Sequence, residues 1–268
     1  MKKLSLDTFT LKLIAIISMA VHHIANVFWE LIPLWVNAGL MVIHGVTFPI
    51  MAFFLTEGFR RTSNIKKYML RLFIFAVIAQ IPHTLAFGIF MPNIIFTILL
   101  SLLCLMMHQK LYVEGQKRAL FVILFIIIAI ASAVLGFEGG LIGPVLILMY
   151  HVIKSEKKRR VLPLVICGCV NVIVQLINKV SFVLSDPAVV AQSIENAQGI
   201  SRMILEVTQQ YYVVPLGTFL LIPLLLAYSG QRGRRAKYLF YAFYPGHLAI
   251  LAAIALALGV TSFAVFGF

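Results

Sequence analysis

Apolar positions along this chain gather into long unbroken blocks separated by short polar connections. The blocks fall at 10–29, 35–58, 68–88, 92–108, 119–136, 140–153, 161–184, 210–228 and 237–258. A helix needs ~20 mostly apolar residues to cross ~30 Å of hydrocarbon. The pattern therefore predicts an all-α fold: a polytopic integral membrane helical bundle of about nine transmembrane helices. Little chain is left between the blocks, so residues 1–268 read as a single domain without internal repeats. The one long polar connection, Ser185–Gln209, is expected to form a cap or a short interfacial helix.

Charge sorts the connections into two alternating sets. One holds Lys2 and Lys3, Arg60–Lys67, Lys110–Arg118, Lys154–Arg160 and Arg232–Lys237. The other holds Glu30–Leu34, Gly88–Pro92, Phe137–Gly139, Ser185–Gln209 and the C-terminal tail. Lys179 and Arg202 depart from the sorting. The positive-inside rule then places the N-terminus in the cytoplasm and the C-terminus outside, in a cell's inner (plasma) membrane. The first apolar run, Phe9 to Trp29, is too long for a signal-peptide core and lacks a small-x-small cleavage site, so it reads as a retained helix.

Composition agrees. The chain is 62% hydrophobic and 12% charged, with a mean hydropathy of +1.01, outside the range of soluble domains. The net charge of +13 lies in short loops, so it reports topology rather than nucleic-acid binding. Cys104, Cys167 and Cys169 lie in apolar runs without metal-ligand spacing and read as small packing residues.

Polar side chains inside the apolar blocks are the candidates for function, because they cost a few kcal/mol on insertion scales. The first block carries His22, His23 and Asn26, with Asn26 sharing a face with each histidine. The second carries His44, and the third carries Gln80 and His83 on one face. Counted from the basic end, His23, His44 and Gln80 each lie about 12 to 14 residues in, ~18–21 Å at helical rise. They form one layer in the outer half of the bilayer, with His247 somewhat deeper. Each histidine alone has a structural reading, an inter-helix hydrogen bond. Together they point to a polar cavity. A metal site there lacks the usual carboxylate or thiolate company, so no metal is expected. Pro49, Pro82 and Pro245 flank these histidines, and such breaks are tolerated where backbone faces protein or a water-filled cavity.

A second cluster lies at the basic edge: Glu57, Arg60, Arg61, Lys66, Lys67 and Arg71. Glu57 and Arg71 are expected at similar depth, within pairing reach. The cluster serves topology, and equally suits a phosphate-rich cytoplasmic ligand.

These residues sit in blocks that resemble the TraX family, membrane proteins associated with pilin N-acetylation. The blocks read LDTFTLKLIAIISMAVHHI (6–24), FPIMAFFLTEGFRRTSNIKKYMLRLFIFAVIAQIP (48–82), NIIFTILLSLL (93–103), FEGGLIGPVLIL (137–148) and YAFYPGHLAIL (241–251). The family's Asp-His-Ile-Gly stands here as His22-His23-Ile24-Ala25, and His44-Gly45 replaces a Gly-Arg pair before Phe48-Pro49. The opening pattern is also similar to a wider group of transmembrane acyltransferases, including the lysosomal enzyme that acetylates heparan glucosamine.

The resemblance implies a transmembrane acyltransferase-like domain. It would move acetyl from cytoplasmic acetyl-CoA, the acyl-donor substrate, to an amine or hydroxyl acceptor at or across the membrane. In that reading His23 is the base or, alternatively, an acetyl-carrying nucleophile. His44 or Asn26 orients it or holds the oxyanion, and His22 completes the group. Arg60, Arg61, Lys66, Lys67, Arg71 and Glu57 form the acetyl-CoA site. Gln80, His83, His247 and Trp29 meet the acceptor. The expected partners are acetyl-CoA, that acceptor and membrane lipids, with no nucleic acid. A proton-coupled small-molecule transporter is the competing class, and a pilus-assembly scaffold the third.

Overall fold

The computed structural model describes residues 5–185 and 214–260. The described chain is helical, and no β-strand forms among the described residues; a single bridge joins Leu6 to Tyr228. In chain order the helices are α1 (Thr8–Val27), α2 (Leu34–His44), α3 (Thr47–Arg61), α4 (Ile65–Phe87) and α5 (Ile94–Met107). A π-helical stretch, His108–Glu114, extends α5. Then come α6 (Arg118–Val134), α7 (Ile142–Val152), α8 (Glu156–Ser185), α9 (Val214–Leu226) and α10 (Lys237–Ala257). The polar connection beyond Ser185 lies outside the described residues, as do Lys2, Lys3, Arg202 and the C-terminal tail.

Each expected apolar block holds a helix, and the second holds two. Five are long and apolar enough to cross a membrane: α1, the α2–α3 pair, α4, α5 with its extension, and α10. The apolar helices α6, α7 and α9 are shorter; α7, at 11 residues, reaches only about 17 Å. Their outer faces remain apolar. Phe73, Val77 and Ile81 on α4 and Ile123, Ile127 and Ile130 on α6 are all exposed. Such a surface suits lipid rather than water. This is a multi-pass membrane protein.

The break between α2 and α3 follows from sequence. Pro49 has no N–H to offer the carbonyl of Gly45 four residues back. Thr218 on α9 fills the gap, its hydroxyl donating to Gly45 O at 3.2 Å. Ser18 on α1 donates to Ile43 O at 2.5 Å and lies 2.6 Å from the Thr47 hydroxyl. Neighbouring helices thus satisfy the backbone that the break frees. Gly217 permits this approach, because a Cβ there would overlap Val42 O.

At the basic end, the N-terminal segment laces to the loop after α9. Leu6 N donates to Ala227 O and Thr8 N to Gln231 O, both at 2.9 Å, and Ser229 N donates to Leu6 O at 2.8 Å. Asp7 caps α1 by accepting from Thr10 N at 2.7 Å. Gly233, at φ 63°, lies so close to Asp7 that a Cβ would overlap its carboxylate. This lacing fixes where Arg232, Arg234 and Arg235 stand.

Candidate functional site

Five histidines from four helices converge at the end of the bundle away from the arginines. His23 on α1 is 1% exposed. Its Nδ1 lies 2.6 Å from Nε2 of His247 on α10, with the rings stacked 4.9 Å apart. His247 Nδ1 in turn lies 2.7 Å from Phe243 O. A carbonyl only accepts, so His247 Nδ1 carries the proton and its Nε2 accepts. His23 Nδ1 must then donate, which leaves His23 Nε2 with a bare lone pair. His23 also lines a cavity of about 190 Å³ together with His22, His44, Phe48, Glu138 and Asn171.

His22 stacks on His44 of α2 at 3.4 Å between ring centroids. The Asn26 amide lies 2.8 Å from His22 Nδ1 and donates to His22 O at 3.0 Å. Asn26 is therefore engaged with His22 rather than with His23. His44 Nδ1 is buried without a hydrogen-bond partner among the described residues. His83 on α4 is 1% exposed, and neither of its ring nitrogens has such a partner either.

Glu138, between α6 and α7, brings a carboxylate into this group. Its loop is pinned on all sides. Glu138 N donates to Pro92 O at 3.1 Å, Thr97 Oγ1 donates to Glu138 O, and Ser132 Oγ donates to Gly140 O at 2.9 Å. Gly139 and Gly140 take φ values of 85° and 42°, which favour glycine. The side chain accepts from Ile94 N at the start of α5, at 2.8 Å. That helix N-terminus favours negative charge. Glu138 Oε2 stands 3.7 Å from His83 Nε2. Donor atoms of His22, His23 and Glu138 all lie within 4.8 Å of one another.

A larger cavity, about 510 Å³, opens between α1, α3, α4 and α10 towards the basic end. Lys12, Arg61, Arg71, Arg232, Arg234 and Arg235 line it, with Tyr68, Phe75, Tyr241 and Tyr244. Met19 and Met51 line both cavities. Two thioether side chains thus stand between the arginines and the histidines.

The structure sorts the sequence candidates. His22, His23, His44, His83 and His247 come together. Gln80 turns the other way, donating to Met91 O and Thr84 and accepting from Asn93 N, and so braces the α4–α5 turn. Trp29 lies beyond the end of α1 and is 45% exposed. Of the basic cluster, Arg61 and Arg71 line the large cavity, while Lys66 and Lys67 are exposed in the first turn of α4. Arg60 donates to Tyr150 O and His151 O at the end of α7. The expected Glu57–Arg71 pair gives way to others. Glu57 pairs with Arg61 at 2.8 Å and with Arg159 at 2.9 Å, because α8 delivers the buried Arg159 beside it. Arg71 instead lies over the Tyr68 ring.

Sequence reading missed Glu138 and the cavity's other cations. Glu138 fell in a short connection read as lying outside the bilayer, and its flanking residues, Phe-Glu-Gly-Gly, were the available signal. Arg232, Arg234 and Arg235 were read as topology alone, and Lys12 as the start of a span.

Comparison with known proteins places the chain. The TraX protein family matches residues 7–255. A probable fimbrial assembly protein FimC, serogroup H1, from Dichelobacter nodosus is 28% identical over 265 residues, covering 93% of this chain and 96% of that protein. No solved structure matches. With residues 7–255 matched, nearly the whole length, this chain belongs to the TraX family.

Proposed function

We propose that this protein is an integral membrane acetyltransferase. It takes acetyl from acetyl-CoA at the basic end and passes it to an amine or hydroxyl acceptor in the histidine cavity. The observation that carries this reading is the hydrogen-bond chain Phe243 O to His247 to His23. It holds the His23 ring and leaves Nε2 bare at a cavity wall, which is the geometry of an oriented general base.

The large cavity suits the donor. Its arginines and lysine offer charge-assisted hydrogen bonds to nucleotide phosphates. An extended pantetheine arm of ~15–20 Å reaches from that mouth towards the histidines. Met19 and Met51, which line both cavities, stand on the route of the thioester, and methionine is the most adaptable of apolar side chains.

The chemistry balances with the residues present. His23 Nε2 takes a proton as the acceptor nitrogen or oxygen attacks the thioester carbonyl. His44, with a free ring nitrogen, donates to the oxyanion. Glu138 lies close enough to offset the positive charge that develops on His23. The tetrahedral intermediate collapses by breaking the C–S bond. The thiolate then takes a proton, through His23, to leave as free CoA. The fimbrial relative supports an acceptor among pilus or cell-surface components. The clustering of Lys and Arg in alternate connections supports an inner-membrane location with the arginine end in the cytoplasm.

Purified protein should consume acetyl-CoA when acceptor is present and gain thermal stability when acetyl-CoA binds. Proton flux through vesicles lacking acetyl-CoA, without thioester consumption, would instead support a proton-coupled carrier.

A further inference from the structure

Glu138 is a carboxylate with no permanent cation beside it among the described residues, since no Lys or Arg of these lines the small cavity. The groups that face Glu138 are Ile94 N, the histidines His22, His23, His44 and His83, and Tyr244. The chain His23–His247–Phe243 is satisfied by neutral rings, so it supplies no counter-charge. The only hydrogen-bond donor to the Glu138 carboxylate among the described residues is Ile94 N, and a largely enclosed carboxylate with no compensating cation is costly. Yet the loop that carries it is anchored by Pro92, Thr97 and Ser132. His83 adds a second unmet demand: it is 1% exposed, 3.7 Å from Glu138, and neither ring nitrogen has a hydrogen-bond partner among the described residues.

We propose that His22, His23 and Glu138 form a binding site for a divalent transition-metal ion, with His83 or water completing the shell. Two imidazoles and one carboxylate are a zinc donor set, whereas magnesium and calcium require mostly oxygen. One donor atom from each residue already lies within 4.8 Å of the others. Bonds of ~2.0–2.2 Å draw such atoms together by about 1 Å, within side-chain motion. The surrounding groups fit. His23 points its bare Nε2 because Nδ1–H is bonded to His247, the outer hydrogen bond that orients metal-ligating histidines. Glu138 is held by Ile94 N. The ligating nitrogen of His22 gives up its contact with the Asn26 amide, which keeps its bond to His22 O. The fold thus delivers the carboxylate that the sequence lacked in this layer.

The ion would occupy the lone pair that His23 needs as a base. On the acetyl-transfer reading, on which only this consequence rests, zinc holds the enzyme off and a chelator releases it.

The test uses full-length protein in detergent, stripped of metal and titrated with zinc chloride against a competing chromophoric chelator. The expected result is one saturable zinc per chain. Affinity should fall in Glu138→Gln and in His23→Ala by at least the ~10- to 100-fold that loss of a residue supporting a ligand costs. His108→Ala, which alters the other histidine pair beside His151, should bind zinc as the parent does. The amide introduced by Glu138→Gln retains an oxygen for Ile94 N, so that variant removes charge and spares the loop; its melting temperature without zinc checks this. Absence of saturable binding, or unchanged affinity in both variants, overturns the site. Zinc binding without acetyl transfer in any preparation leaves the site standing and defeats the enzyme reading. Acetyl transfer without zinc binding does the opposite.

Discussion

At the scale of single residues, the site turns on which histidine nitrogen is free. His247 fixes the answer for His23 by accepting from its Nδ1 at 2.6 Å. His247→Leu removes that acceptor and should lower turnover with little change in the KM for acetyl-CoA. His247→Gln keeps an acceptor oxygen near the position of Nε2 and should retain more activity than the leucine variant. Steady-state kinetics of the two variants check this, and equal losses would remove His247 from its orienting role. Glu138 was invisible to a reading by depth and periodicity, because a loop residue carries no helical register. The histidines were visible because each interrupts an apolar helix, where polarity is expensive.

At the scale of elements, short helices and broken ones hold the site. The α2–α3 break places His44 beside His22, and it depends on Thr218 satisfying Gly45 O. Thr218→Val leaves that carbonyl unpaired and should cost about 1–3 kcal/mol, read as a lower melting temperature. Gly217→Leu drives a side chain into the α2 backbone and should reduce folded yield further. The lacing of Leu6–Thr8 to the loop after α9 positions the arginines over the large cavity. Arg234→Glu should raise the KM for acetyl-CoA about tenfold, the loss of ~1.4 kcal/mol, while leaving kcat near the parent value. Within that lacing, the Thr10 backbone N–H holds the Asp7 carboxyl below its ordinary range. A lowered carboxylate adds stability above its unfolded pKa and loses it as acid protonates the folded form. The lacing should therefore be intact at neutral pH and weaken below about pH 4. The helices themselves were legible as apolar blocks. The break inside the second was foreshadowed by Gly45 and Pro49, yet its partner on α9 lies too far along the chain for local pattern to reveal.

Across the whole molecule, an apolar outer surface surrounds two cavities that meet at Met19 and Met51. The arginines stand at one end, the histidines at the other, and Met19 and Met51 between them. Length, apolar blocks and the histidine layer were readable from sequence because the bilayer imposes one length and one polarity on every span. Which cations face the large cavity was not, since Arg60 was drawn off by the carbonyls of Tyr150 and His151, and Arg232, Arg234 and Arg235 arrive from the far end of the chain. Acetyl transfer through His23 is read out by single-turnover transfer with purified protein. With labelled acetyl-CoA and a surface-component acceptor, the parent protein should form acetylated product. His23→Ala should lose about 10²- to 10⁴-fold in rate while binding acetyl-CoA with unchanged affinity. Full turnover in His23→Ala, or no thioester consumption by folded parent protein that binds acetyl-CoA, would rule out His23 as the base of an acetyl transfer.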